Sequence, residues 1–230
     1  MWQAVLMNTY GFLAIWCDIS DEYLADYRNW LTQEHIADRT FSPGFLSVRL
    51  FEKLDDPNSH FILYATESPE ILDGPEYKAI LDTPSDWTRR LMPEFERFDR
   101  ALGTQVLKIG NGFGSCVAIW RLSLNNAAVD LNELGSRLTS YLGSDGVGRV
   151  RLNALNHATT DRHSEEKTMR GGTEGGFDYL LCAEVMNEDQ VTLCEQRLTA
   201  ALPKLFPKLS GFDSSCRRMF YGEAAHEGPT

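Results

Sequence analysis

The chain has 230 residues, of which 43% are hydrophobic and 24% charged, and its formal net charge is -11. That length allows one large domain or two of about 100 residues each, with enough chain for a proper core. The acidic balance excludes nucleic acid as an expected partner, because phosphate-backbone binding depends on clustered Lys and Arg.

The N-terminal MWQAVLMNTYGFLAIW is apolar but lacks a basic flank and is interrupted by Asn8 and Thr9. It reads neither as a secretion signal nor as a membrane span, so no membrane partner is expected. Gly11 to Ser20 is almost continuously apolar, the pattern of a strand covered on both faces. Asp21 and Glu22 then open a helix where carboxylates favour its dipole. Tyr23, Tyr27, Leu31 and His35 follow at four-residue steps, with Leu24 and Trp30 beside them, so His35 lies on the side expected to be buried. Ser42-Pro43-Gly44 stops this helix, and Phe45 to Leu54 reads as a strand.

Trp30, Glu34-His35, Arg39 and Pro43-Gly44-Phe45, followed by Arg49, resemble the W-x3-EH-x3-R-x3-PGF pattern of EthD-like members of the dimeric α/β-barrel superfamily. The resemblance covers about residues 11 to 110. It implies a ferredoxin-like βαββαβ unit, two of which pair their sheets into a barrel. It also implies a small-molecule pocket between helix and sheet, faced by a first-helix histidine at the position of His35.

Asp55-Asp56-Pro57-Asn58 is a turn and His60 to Thr66 a further strand, giving an antiparallel hairpin with His60 exposed at its start. Ser68 to Asp86 predicts short helical pieces, and Asp86 to Phe98 a helix kinked at Pro93, with Trp87, Leu91, Phe95 and Phe98 on one side. Gln105 to Ile109 closes the unit as a strand. Gly110 to Gly114 forms a boundary, after which the pattern repeats: Val117-Ala118-Ile119-Trp120 matches Leu13-Ala14-Ile15-Trp16 almost letter for letter. Leu131 to Leu142 supplies the second first-helix, Arg149-Val150-Arg151-Leu152 echoes Ser47-Val48-Arg49-Leu50, and Phe177 to Val185 echoes Phe61 to Glu67. A helix over Glu188 to Leu202 and a strand over Ser214 to Tyr221 complete the copy.

The expected fold class is therefore α+β: two tandem ferredoxin-like units, residues 1–110 and 111–230, whose antiparallel sheets pack into an α/β barrel within one chain. The chain can supply its own partner sheet, as a monomer with an internal pseudo-dimer, or form a homodimer through another surface. The second copy has no Glu-His pair and no Pro-Gly-Phe, which places any chemistry in the first half. It carries instead a polar, glycine-bearing insertion at about 157–176, expected to be mobile, either as a surface loop or as a lid on a pocket.

His35 is the candidate acid or base, since imidazole exchanges a proton near neutrality. Asp38, one turn on, is better placed to orient it than the adjacent Glu34. The alternative is a core histidine fixing the helix end. Arg39 and Arg49 can bind a carboxylate or enolate oxygen through their planar forks, or form surface ion pairs with Glu34, Asp38 and Glu52. Trp16, Tyr27, Trp30 and Tyr64 can line an aromatic pocket or simply be core. His157 and His163, with Asp161 and Glu165, have neither the spacing nor the frame of a metal site. Gly110-x-Gly-x-Gly joins two strands and is no dinucleotide fingerprint, and neither a Gly-x-Ser-x-Gly elbow nor a P-loop is present. Five cysteines, none in a CxxC pair, point to reduced thiols in the cytoplasm.

Three functions compete: a cofactor-free isomerase or lyase acting on a cyclic or aromatic metabolite, an oxygen-using enzyme (a cofactor-independent monooxygenase or a haem protein), and a non-catalytic small-molecule binder. The residues favour the first, with a small-molecule substrate and no cofactor or metal.

Overall fold

A computed structural model describes residues 10–125, 127–160, 165–170 and 172–224. The chain divides into two compact units. The first-half unit takes its described residues from 10–103, 156–175 and 220–224, and the second-half unit from 104–155 and 176–219.

In the first half, β1 (Gly11–Asp18) leads into α1 (Asp21–Trp30), a π-helical turn (Leu31–His35) and α2 (Ile36–Thr40). The hairpin of β2 (Phe45–Lys53) and β3 (Asp56–Thr66) follows, then α3 (Pro75–Asp82), α4 (Asp86–Leu91) and β4 (Glu96–Ile109). In the second half come β5 (Cys116–Ser123), α5 (Leu131–Leu138), β6 (Val147–Leu155), β8 (Tyr179–Val185), α8 (Glu188–Leu205) and β9 (Gly211–Ala224). The insertion between β6 and β8 carries α6 (His157–Thr160), α7 (Glu165–Arg170) and the two-residue strand β7 (Thr173–Glu174).

Strands are hydrogen-bonded in the order β1-β3-β2-β9-β5-β8-β6-β4-β7, and β1 also pairs with β4. The copies thus share one order, β4-β1-β3-β2 and β9-β5-β8-β6, and the order closes on itself through eight antiparallel strands with β7 appended. This is the α+β barrel of two ferredoxin-like units that the tandem repeat predicts. β1 is buried along its whole length. Its register places Leu13 opposite Tyr64, and Tyr64 is also opposite Val48 on β2, so these three share a sheet face.

Four expectations need correction. The helix from Asp86 ends at Leu91, and a tight turn over Met92–Glu94 follows, because Pro93 lacks the N–H that a continuing helix needs. Phe98 therefore lies on β4, a strand of 14 residues rather than the short closing piece over Gln105 to Ile109. His60 is 1% exposed, its ring 4.8 Å from that of Tyr27 and 5.7 Å from that of Phe220. The insertion is not a plain surface loop, since its helix α7 packs against α3 and the turn after α4 in the first-half unit. Gly44, at φ +86°, makes the left-handed turn that its place after Pro43 predicts.

Candidate functional site

A cavity lies between the helices and the sheet of the first-half unit. Leu13, Ile15 and Cys17 of β1 and Ile62 and Tyr64 of β3 form its floor. Tyr27, Trp30, His35 and Arg39 come from the first helix, and Tyr77 and Leu81 from α3. Met92, Phe95, Phe98, Arg100 and the insertion residue Glu166 close the remaining walls. The volume open to the centre of a water molecule is about 30 Å³, room for a small number of waters. Outside it an open groove of about 280 Å³ runs past Asp38, Ser42, Ile80, Thr83, Ser85 and Thr88. His35, Arg39 and Glu166 belong to both spaces and stand between them.

The first helix positions three of these groups through its π turn, where the Ile36 N–H reaches back to the Leu31 carbonyl. The extra residue per turn brings Trp30 and His35 to the same side. Their rings lie 4.1 Å apart at 31°. The Trp30 indole N–H donates to Thr88 Oγ1 at 3.0 Å, and that hydroxyl donates to Glu34 Oε1 at 3.2 Å. Ser85 Oγ also donates to Glu34. Glu34 thus acts on Trp30 through Thr88 and not on the neighbouring His35.

His35 is 6% exposed, and no described residue forms a hydrogen bond with its ring. Burial, and secondarily the Arg39 charge, pushes the imidazole well below its ordinary 6.5, so it is neutral at pH 7. Arg39 is buried and its Nη2 lies 2.8 Å from Glu166 Oε1. Burial opposes the Arg39 charge, but Glu166 and the phenols of Tyr77 and Tyr64 outweigh it and hold the guanidinium above its ordinary value. Arg100 Nη2 donates to the Tyr77 hydroxyl at 3.1 Å, and its Nη1 lies 3.9 Å from Glu174 Oε2. The arrangement can take a proton at His35 and present cationic donors nearby, inside an aromatic wall.

Of the residues singled out by sequence, His35, Arg39, Tyr27, Trp30 and Tyr64 meet in this cavity. Asp38 is exposed in the outer groove and makes no hydrogen bond or ion pair with His35. Trp16 and Arg49 do not line the cavity: strand alternation turns them to the opposite sheet face. There Trp16 packs 5.0 Å from the Phe61 ring, and the Arg49 guanidinium lies 5.7 Å from the Phe51 ring. Both Arg39 and Arg49 are buried, which corrects the surface ion-pair alternative. Sequence reasoning missed Glu166, Tyr77 and Arg100: Glu166 lies in the insertion, Tyr77 on a helix within the stretch read only as short helical pieces, and Arg100 on the part of β4 that lay outside the expected closing strand.

Among the described residues no group of three or more His, Cys, Asp or Glu could hold a metal ion. Among the described residues no histidine of the second-half unit is available to ligate a haem, and His157 is exposed in the insertion. His163 and Asp161 lie outside the described residues. No described helix is long and apolar enough to cross a membrane.

No family model matches this sequence, and no curated protein does. Solved structures do match in fold. An anthrone oxidase-like protein superposes with a TM-score of 0.64 at 11% identity, over 98% of each chain. A candidate monooxygenase from Lactobacillus acidophilus NCFM gives 0.59 at 8% identity, over 94% of this chain and 97% of its own. Chlorite dismutase from Candidatus Nitrospira defluvii gives 0.52 at 10% identity, over 93% of this chain and 91% of its own. These likenesses show the fold alone and carry nothing about the reaction.

Proposed function

We propose that the first-half cavity, opened into the larger groove that meets it at His35, Arg39 and Glu166, is the active site of an enzyme that abstracts a proton from a small cyclic or aromatic molecule, with His35 as the base and no resident cofactor. The observation that carries this reading is the state of His35: buried, neutral and without a hydrogen-bonding partner among the described residues, in a wall shared with Arg39. A neutral imidazole accepts a proton without first losing one. The electron pair released from the substrate C–H or O–H bond moves onto a conjugated oxygen as an enolate or phenolate, which the Arg39 donors stabilise. Returning the proton to another carbon completes an isomerisation, and returning it to a departing hydroxide completes a dehydration. Trp30 and Phe95 hold the ring and exclude water.

A second outcome of the same first step is electron transfer from the carbanion to molecular oxygen, and the names of two of the similar structures favour it. The Trp30, Glu34, His35, Arg39 and Pro43-Gly44-Phe45 pattern favours an EthD-like relationship within the superfamily. Five cysteines outside any disulfide agree with a reducing, cytoplasmic compartment.

The test is a panel of enolisable aromatic ketones, anthrone among them, phenols and unsaturated lactones, assayed under air and under argon. Consumption by the wild type and its loss in His35→Ala supports the reading, and dependence on air selects the oxidative outcome. Binding without consumption across the panel overturns it in favour of an accessory protein.

A further inference from the structure

Three tyrosine side chains line the cavity, and two of their hydroxyls are satisfied within the protein. Tyr27 shares a hydrogen bond with Cys17 Sγ at 3.4 Å, and Tyr77 accepts one from Arg100 at 3.1 Å. The third, Tyr64, is 1% exposed, and its hydroxyl has no hydrogen-bonding partner among the described residues. A buried polar atom left unpaired is destabilising, and a phenylalanine would fill the same space against Phe45, whose ring stands edge-on at 5.8 Å. The groups whose charges act on the Tyr64 phenol are Arg39, Tyr77, Glu166 and Cys17, all on the cavity wall.

The two arginines of the cavity are, by contrast, already matched. Arg39 is paired with Glu166 at 2.8 Å, and Arg100 with Tyr77 and Glu174. An entering carboxylate would have to displace a buried partner or stay unpaired, at a large desolvation cost. A neutral molecule meets neither obstacle.

We infer that the Tyr64 hydroxyl is the anchoring point for the ligand's oxygen, and that the substrate is an uncharged, mainly apolar ring bearing a phenol, enol or ketone oxygen and not a carboxylate. The inference rests on reading this cavity as the ligand site, but it does not depend on His35 acting as a base.

The experiment is calorimetric titration of the purified full chain with phenol, toluene and benzoate, using the wild type, Tyr64→Phe and His35→Ala. Phenol and toluene have nearly the same shape, so the ratio of their affinities isolates the oxygen. Tyr64→Phe is expected to shift that ratio against phenol by about tenfold, the worth of one hydrogen bond to an otherwise unpaired group. The same variant keeps or raises the thermal midpoint, because the lost hydroxyl had no partner among the described residues. In His35→Ala the ratio should stay as in the wild type, and benzoate should bind the wild type most weakly. An unchanged ratio in Tyr64→Phe, or benzoate binding tighter than phenol, overturns the inference. A ratio that moves only in His35→Ala assigns the oxygen to the imidazole, which overturns the Tyr64 assignment and leaves the base in place. Absence of binding by all three compounds overturns both readings of the cavity.

Discussion

The imidazole of His35 packs against the indole of Trp30, with ring centroids 4.1 Å apart and the planes tilted by 31°, while the indole N–H is tied to Thr88. An ordinary helix would turn residues five apart about 140° from each other. The π turn over Leu31–His35 removes that divergence and stacks them on one side. Helix geometry thus builds a base whose ring is held against the indole while its nitrogens make no hydrogen bond to the described residues.

The Thr88 link supports that geometry. Thr88→Val deletes the acceptor for the indole and one donor to Glu34. We expect a loss of about 1–3 kcal/mol in unfolding free energy, together with a shifted Trp30 emission, read by urea titration with fluorescence. An unchanged midpoint and spectrum would show that the indole is held by packing alone.

The neutral state of His35 has a consequence for pH. Its folded pKa lies below the unfolded value of about 6.5, burial being the larger cause. As pH falls through 6.5 the unfolded chain binds a proton on this side chain and the folded protein does not, so stability declines until the folded pKa is reached. In His35→Gln that share of the slope is absent. Urea midpoints at pH 7.5 and 5.5 should therefore separate further in the wild type than in the variant. Equal separations would contradict a depressed imidazole.

Glu166 and Arg39 have side chains only 10% and 4% exposed. Glu166→Gln removes the charge and leaves a buried guanidinium, for which we expect a loss of about 3–5 kcal/mol by chemical denaturation. Replacing both partners with apolar residues, Arg39→Met with Glu166→Leu, should recover much of that loss. If the single variant is as stable as the wild type, the pair is not closed in solution.

The first helix was legible because its apolar residues recur at helical spacing, and the same period marked Tyr27, Trp30 and His35 as inward-facing. The repeat was legible because Val117 to Trp120 copies Leu13 to Trp16. Trp16 was misassigned for the opposite reason: a strand buried on both faces shows no polar alternation to say which face meets the helices, whereas in Ser47-Val48-Arg49-Leu50 the alternation does set Arg49 on the face opposite Val48 and Leu50. His60 looked exposed because a turn precedes it, yet Tyr27 and Phe220 cover it. Glu166 gave no signal at all, since a short polar helix in an insertion has its inward side decided by what it lands on. The π turn was equally invisible, because the stripe of four-residue steps fits a continuous helix.

Proton abstraction by His35 is tested most directly by deuterium exchange under argon, using the panel compound consumed fastest, dissolved in D2O with wild type or His35→Ala. Exchange isolates the first step from whatever follows it, isomerisation, elimination or reaction with oxygen. We expect the wild type to exchange the acidic proton at least about 100-fold faster than His35→Ala, with both proteins equally folded by circular dichroism. Equal exchange rates in the two proteins would contradict His35 as the base and return it to the role of a packed core residue.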